Sequence, residues 1–70
     1  MTIEDYRVSL GWSAAELARR AGLATKTVSR IEKGAPAFSH TLGAIARALS
    51  DGLGRTITIH DLEGANLVER

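Results

Sequence analysis

The sequence predicts an all-α fold, a compact bundle of four to five helices. Apolar residues recur at helical spacing in four separate segments, and capping residues or glycines stand near the ends of those segments. The chain of 70 residues is 44% hydrophobic, which suits one small globular domain. We therefore interpret residues 1–70 as a single domain. Its core lies in residues 2–50, and residues 51–70 form a C-terminal turn followed by a short helix or strand.

Capping signals mark the first two helices. Thr2 is followed three residues later by Asp5, which is typical of an N-cap with an acid at the third helical position. The apolar positions of this first helix are Ile3, Tyr6 and Leu10. Gly11 then ends the helix, residues 13–16 (SAAE) predict a second capping box, and Gly22 ends the second helix.

Two further helices follow, separated by a loop. The spacing predicts a third helix over residues 25–33, ended by Gly34, and Ala-Pro-Ala at residues 35–37 predicts a loop. Ser39 is the predicted N-cap of the fourth helix. The apolar stripe of that helix comprises Leu42, Ile45, Ala46 and Leu49. Two glycines in residues 50–54 predict a turn that breaks the chain there.

The C-terminal segment allows two interpretations. Residues 56–59 alternate and are β-branched, which favours a strand. Thr58 followed by Asp61 instead fits a short capped helix that begins near Ile59. We predict the helix, because the chain has no second strand candidate and an isolated strand is unstable. The strand interpretation would hold if two chains paired their copies of this segment.

The composition excludes several protein classes. The chain has no cysteine, so it can form neither a disulfide framework nor a thiolate zinc site, and an intracellular setting fits. The first residues, MTIEDYR, carry acids where a signal peptide has bases followed by an apolar run. No apolar run approaches the roughly 20 residues that a membrane span needs. We expect a cytoplasmic protein without membrane association.

No pattern of residues indicates catalysis or metal binding. Ser39, His40 and Asp61 are the residue types of a hydrolytic triad, but such triads are defined by geometry and nothing here marks a nucleophile. His40 and His60 are too few for a metal site without cysteine ligands. We expect no enzyme activity, no cofactor and no small-molecule ligand.

Charge is distributed unevenly along the chain, whose net charge is only +1. Residues 17–50 hold six lysines and arginines against Glu32 alone, whereas the rest of the chain has more acids than bases. Residues 23–34 (LATKTVSRIEKG) are unusual for a surface helix, because three cations face this one acid. A basic segment between acidic ends predicts a surface that binds a polyanion.

Residues 14–33 are interpreted as two helices joined by a tight turn. Helices that cross steeply need a small residue where they touch, which Ala18 supplies, and the turn needs a residue that adopts positive φ, which Gly22 supplies. The apolar positions that hold this pair together are Leu17, Ala21, Leu23, Val28 and Ile31. Residues three, four and seven apart share a helix face, so the opposite face points outward. That outward face consists of Thr25, Lys26, Ser29, Arg30 and Lys33.

This arrangement resembles a known family. The segment LGWSAAELARRAGLATKTVSRIEKG is similar to the helix-turn-helix of the phage repressor and Cro class, also called the xenobiotic-response-element family. The resemblance covers residues 3–49 and includes the fourth helix. It implies a compact bundle of four or five helices that binds double-stranded DNA, usually as a homodimer on an inverted repeat.

The resemblance also implies roles for individual residues. The base-reading positions are Thr25, Lys26, Ser29 and Arg30. Among them, Arg30 has the bidentate fork that suits guanine O6 and N7, and Lys26 offers a single strong donor to the same edge. The phosphate-contacting positions are Ser13, Thr27, Lys33, Ser39, His40 and Thr41.

The resemblance extends to an internal ion pair, and the sequence differs from the family pattern at two positions. The resemblance implies a structural ion pair between Arg7 and Glu32, which agrees with the position of Glu32 as the only acid of the basic middle segment. Ala14 replaces a glutamine that reaches DNA in many relatives. Ala24 replaces the usual serine or threonine cap of the recognition helix, at a cost of about 0.5–2 kcal/mol. If Thr25 capped the helix instead, its contact with a base would be lost.

Apolar residues after the glycine-rich break predict an interface between two copies of the chain. Four helices already supply one small core, so these residues have little left to cover, and an uncovered apolar cluster marks an interface. The residues are Ile57, Ile59, Leu62, Leu67 and Val68. A dimer would place two recognition helices about 34–36 Å apart on an inverted repeat. In the alternative, Ile59 and Leu62 close the monomer core, and Leu67 and Val68 are frayed.

Two functions are therefore considered. The first is a sequence-specific DNA-binding transcriptional regulator, a homodimeric repressor or an autoregulatory repressor-activator. The alternative is a protein-binding helix-turn-helix module such as an anti-activator or an antitoxin-like subunit. Cations on the outward face of residues 25–33 favour DNA, whereas an apolar face there would favour a protein partner.

Overall fold

The fold comprises α-helices, two short strands and one turn of 3-10 helix. The computed structural model describes residues 1–68. The helices are α1 (Ile3–Ser9), α2 (Ala14–Ala21), α3 (Thr25–Glu32) and α4 (Ser39–Leu53), the strands are β1 (Pro36–Phe38) and β2 (Asn66–Val68), and the 3-10 turn is Ile59–Asp61. The four predicted helices are present, and a single 3-10 turn lies where the sequence predicts a fifth. None of the helices in residues 1–68 has the length and apolar character needed to cross a bilayer.

The core lies between α2, α3 and α4. The side chains with the least exposure come from the apolar stripes of these three helices: Leu17, Val28, Leu42, Ile45 and Leu49. Ile3 and Tyr6 of α1 belong to the same cluster. Burial of one such side chain stabilises the fold by about 1.5–3 kcal/mol. The helical periodicity read from the sequence therefore accounts for the packing of these elements.

The helix N-termini follow the predicted capping signals in part. Thr2 and Asp5 form the predicted capping box, with bonds of 3.0 Å from the Asp5 amide and 2.9 Å from the Thr2 amide. The bond that the Asp5 carboxylate accepts from the Thr2 amide lowers the pKa of this carboxyl. Ser13 accepts a hydrogen bond from the amide of Glu16 at 3.1 Å. The second capping box is only half formed, because the Glu16 carboxylate binds arginines of α2 instead.

Helix α4 differs from its prediction at both ends. Its N-cap is Phe38, which makes no side-chain cap bond, and Ser39 is the first helical residue. The predicted break at residues 50–54 is wrong, because α4 continues to Leu53 and ends at Gly54, whose φ is 71°. Gly52 is a helical residue at a close contact: a Cβ built there would lie 2.5 Å from the ring of Trp12. Glycine at this position leaves room for the Trp12 ring and does not form a turn.

Two strands correct the all-α prediction. The predicted loop at residues 35–37 contains β1, which pairs in parallel with β2, and Pro36, Ala37 and Phe38 lie opposite Asn66, Leu67 and Val68. Local sequence signals do not reveal these strands, because each has three residues and its partner lies far away in the chain. Residues 56–58 join no sheet within the described part of the single chain and Ile59 begins the 3-10 turn, so this segment adopts the short-helix interpretation there.

The C-terminal segment packs onto α4. The Ser50 hydroxyl accepts a 2.7 Å hydrogen bond from the Ile57 amide and also contacts the Ile57 carbonyl oxygen at 3.1 Å. The predicted capping box of Thr58 and Asp61 is present and begins the 3-10 turn. Ile57 and Leu62 are both only 4% exposed within the single chain. Both side chains therefore complete the monomer core, and neither belongs to an uncovered apolar cluster of the kind that the sequence analysis expects after the glycine-rich break.

Candidate nucleic-acid interface

A tight turn sets the angle between α2 and α3. Gly22 ends α2 in the left-handed conformation with φ 73°, and the amide of Leu23 donates to the carbonyl oxygen of Ala18 at 2.8 Å. Ala18 is 1% exposed. Its small side chain lets the two helices approach closely, and glycine meets the backbone requirement of the turn. Both residues therefore lie where the sequence analysis requires them.

Helix α3 has one buried face and one outward face. Val28 and Ile31 are buried in the core. The residues predicted to read bases or bind phosphate from the outward face are Thr25, Lys26, Ser29, Arg30 and Lys33. All of them are exposed except Ser29, which is half-buried. The structure thus brings these residues together on one accessible surface, which we call the α3 outward face.

The acid of the basic segment is withdrawn from the α3 outward face. The Glu32 carboxylate accepts hydrogen bonds from Arg7 Nε at 2.7 Å and from Arg7 Nη2 at 3.0 Å. Both side chains are largely buried, with exposures of 10% and 14%. Donation of these hydrogen bonds to the Glu32 carboxylate raises the pKa of the Arg7 guanidinium. The structure therefore contains the ion pair expected between these residues, and it joins α1 to the end of α3.

Arg7 also supports the connection between α1 and α2. Its Nη1 donates to the carbonyl oxygen of Trp12 at 3.0 Å. The guanidinium of Arg20 lies 4.5 Å from the centre of the Trp12 ring, within the range of a cation–π contact. Trp12 also contacts Gly52 of α4. The Trp12 ring is also packed against the hydrophobic core.

The bases of the middle segment differ in whether they pair with a carboxylate. Arg19 and Arg20 both bind the Glu16 carboxylate, whose pKa these hydrogen bonds lower. In residues 1–68, by contrast, Lys26, Arg30 and Lys33 form no ion pair with a carboxylate. Arg47 of α4 likewise forms none there, so three of the four middle-segment cations without a carboxylate partner lie on α3 or at its C-cap. A polyanion that binds there does not have to displace an internal ion pair.

The start of α3 has the predicted weak cap. Ala24 is the N-cap and makes no side-chain cap bond, and Thr25 is the first helical residue. Because Thr25 does not serve as the cap, its side chain stays on the α3 outward face. The amides of the first helical turn have no intrahelical partners in any α-helix and favour an anion nearby.

The other predicted phosphate-binding residues lie on two further elements. Ser13 caps α2 and is exposed, and Ser39 and His40 are exposed at the start of α4. Thr27 and Thr41 are half-buried. These two hydroxyls line a groove of about 230 Å³ together with Arg30 and all three residues of β1. The contribution of β1 to this groove has no local sequence signal, because the strand depends on the distant β2.

A helix-turn-helix family model matches residues 3–59, which include all four helices. The chain belongs to the helix-turn-helix family. Members of this family bind DNA and regulate transcription, and the family is typically non-enzymatic. The match extends ten residues beyond the end of the resemblance at residue 49 and reaches Ile59 at the start of the 3-10 turn. No curated protein and no solved structure matches the chain.

Proposed function

We propose that this helix-turn-helix protein is a homodimeric repressor of the phage repressor and Cro class that binds an inverted repeat. The proposal includes control of its own promoter. The observation that supports it best is the α3 outward face, where Lys26, Arg30 and Lys33 are exposed without carboxylate partners. A recognition helix needs this combination, because attraction to phosphates supplies affinity and donors facing the groove supply specificity.

Different residues supply the sequence specificity and the affinity for phosphates. Arg30 reads guanine through a bidentate contact with O6 and N7, and Lys26 donates to the same edge. Thr25 contacts a thymine methyl group or donates a hydrogen bond, and Ser29 supports the base contacts. The phosphate contacts come from Ser13, Thr27, Lys33, Ser39, His40 and Thr41. Phosphate contacts position the protein on the duplex and carry no direct sequence information.

The dimer contact is confined to the apolar residues that the monomer leaves accessible. Leu67 is 36% exposed, and Val68 and Ile59 are half-buried. Leu67 and Val68 belong to β2, whose described sheet partner is β1 alone. We propose that Ile59, Leu67 and Val68 meet their copies across a two-fold axis, as the symmetry of an inverted repeat requires.

A protein partner on α3 is less favoured. The large hydrophobic side chains exposed in residues 1–68 are Met1, Val8, Phe38 and Leu67. None of them belongs to α3. Apolar anchors at the centre of the contact are what a protein partner would need, so the α3 outward face suits DNA better.

The test is selection of binding sites from a pool of random double-stranded DNA, followed by fluorescence anisotropy with the selected duplex. We expect a preference for an inverted repeat and an affinity that falls steeply with salt. With 6–10 phosphate contacts, affinity falls roughly 10³–10⁵-fold between 50 and 200 mM salt. Failure to select any sequence, or an affinity unchanged over that range, would refute the proposed function.

Two substitutions separate base reading from phosphate binding. Arg30→Ala should reduce affinity for the matched duplex by about 1–3 kcal/mol and relax the preference at one position of each half-site. Lys33→Ala should weaken matched and mismatched duplexes equally and lower the salt slope by about 1. Equal effects of both variants on all duplexes would contradict this division of roles.

Arg55→Ala is the matched control for the loss of an exposed arginine. Arg55 follows the C-terminal end of α4, and its guanidinium lies 5.8 Å from the centre of the Tyr6 ring. Helix α4 has 15 residues and is about 22 Å long, so Arg55 lies far from the groove at its N-terminal end. We expect this variant to bind the selected duplex with little change in affinity.

A further inference from the structure

Strand β1 lies between the two helices that the proposed function assigns to DNA. It follows the recognition helix α3 after Gly34 and is followed directly by Ser39, the first residue of α4. All three residues of β1 also line the groove that contains Arg30 and Thr41. The position of β1 therefore determines how the start of α4 is placed relative to Arg30.

Strand β2 is the sheet partner of β1 in the described part of the chain. The two strands pair in parallel over Pro36–Phe38 and Asn66–Val68. The side-chain amide of Asn66 also donates to the carbonyl oxygen of Gly34 at 3.4 Å, just after the end of α3. Strand β2 is anchored in turn by the buried Leu62 and by a 3.1 Å bond from the Glu63 amide to the carbonyl oxygen of Met1.

The exposure of β2 indicates that it contributes little to the core. Asn66 and Leu67 are exposed, and Val68 is half-buried. The core is instead built from α2, α3 and α4 with the residues that pack on them. Because hydrophobic stabilisation scales with the apolar area removed from water, weakening β2 should disturb its neighbour β1 more than the folded state as a whole.

We propose that β2 is a strap that sets the DNA-binding position of β1 and of the first turn of α4, with Asn66 as its positioning residue. This inference rests on the proposed function, since it assumes that Ser39, His40 and Thr41 contact phosphate. The strap acts within one chain and does not touch bases. It therefore determines phosphate affinity while base preference stays with α3.

The first experiment compares Asn66→Gly with Thr56→Ala, a control at an exposed residue outside both strands. Asn66→Gly removes the side-chain amide and weakens the strand. The probe is a duplex with a single half-site, so that one chain is measured at a time. We expect about 2- to 10-fold weaker binding from the loss of one hydrogen bond, with a lower salt slope and an unchanged base preference.

Thermal unfolding of the same variants separates positioning from global destabilisation. A salt slope equal to that of the wild type, or a change in base preference, would overturn the strap even if the affinity fell. The control should keep the affinity and slope of the wild type. If the wild type itself binds no duplex, the proposed function fails. If the wild type binds and the Asn66→Gly variant binds with the same affinity and salt slope, the proposed function stands and only the strap fails.

The second experiment restores the strap covalently. The chain has no cysteine, so Pro36→Cys combined with Asn66→Cys introduces the only thiols, at two exposed residues that lie opposite each other in the register. Neighbouring strands are about 4.8 Å apart, which suits a disulfide. We expect the oxidised protein to bind the half-site more tightly than the same protein after reduction, by a similar 2- to 10-fold. Equal affinities in the two states would overturn the strap.

Discussion

Gly52 lies inside α4 against the ring of Trp12, and its replacement by alanine tests this contact. A Cβ at Gly52 would lie 2.5 Å from Cη2 and 2.7 Å from Cζ2 of Trp12, and 3.0 Å from Cδ1 of Leu10. Carbon atoms in contact are normally 3.5–4.0 Å apart, so the ring must move by about 1 Å. That movement also disturbs the contact between Trp12 and Arg20, because the guanidinium lies over the same ring.

Gly43 is a matched control within the same helix. A Cβ built on Gly43 meets nothing within 4 Å. Replacing a helical glycine by alanine adds about 0.5–1 kcal/mol of stability. In a domain of this size 1 kcal/mol shifts the Tm by about 4–8 °C. Gly43→Ala should therefore raise the Tm by about 2–8 °C.

The same gain at Gly52 is outweighed by overpacking. Extra methyl groups in a well-packed site cost about 1–3 kcal/mol. Subtracting the helical gain leaves a net loss of about 1 kcal/mol, so Gly52→Ala should lower the Tm by about 4–8 °C. Thermal unfolding followed by circular dichroism measures both variants under the same conditions.

A double-mutant cycle identifies the ring as the cause. In a Trp12→Ala background the overlap with the ring is absent and only the 3.0 Å approach to Cδ1 of Leu10 remains, so Gly52→Ala should lower the Tm much less than it does in the otherwise unaltered protein. The difference between the two effects measures the coupling between Gly52 and Trp12. If Gly52→Ala raises the Tm of the otherwise unaltered protein as much as Gly43→Ala does, the reasoning is refuted.

Three further predictions concern the C-terminal segment and the helix caps. Leu62→Glu should unfold the protein, because it buries a charge at a residue that is 4% exposed, whereas Leu67→Glu should give a folded monomer. Circular dichroism reports whether each variant is folded, and sedimentation reports whether it is a dimer. A folded Leu62→Glu protein or a dimeric Leu67→Glu protein would contradict these expectations. The cap bonds lower the pKa of Asp5 and Asp61 from 3.8, so their stabilising effect is complete above that pH and is lost as the pH falls through the lowered values. The free energy of unfolding measured against pH should show this acid loss, and Asp5→Asn combined with Asp61→Asn should reduce it. Ala24→Ser should supply the missing cap of α3 and stabilise the protein by about 0.5–2 kcal/mol in urea unfolding; no gain would mean that the amides of the first turn are already satisfied.

The sequence by itself determined the helix-turn-helix and the composition of its outward face. A cap such as Thr2, a glycine with positive φ such as Gly22 and the helical spacing of Val28 and Ile31 all act within a few residues. Such signals can be recognised from residues that are close together in the sequence. The face opposite the buried stripe of α3 then follows from helical geometry, and so do the residues that it exposes.

The tertiary structure alone decided which residues from distant parts of the chain meet. Strand β1 exists because β2 returns beside it, Gly52 is required because the Trp12 ring packs on it, and Leu62 is buried because the segment after α4 folds back. None of these features has a local signal, since each depends on where the chain comes back in space. The sequence suggested that Ile57 and Leu62 were in excess of what the core needs, and the structure buries both. Burial depends on how the whole chain packs and not on the residue type alone.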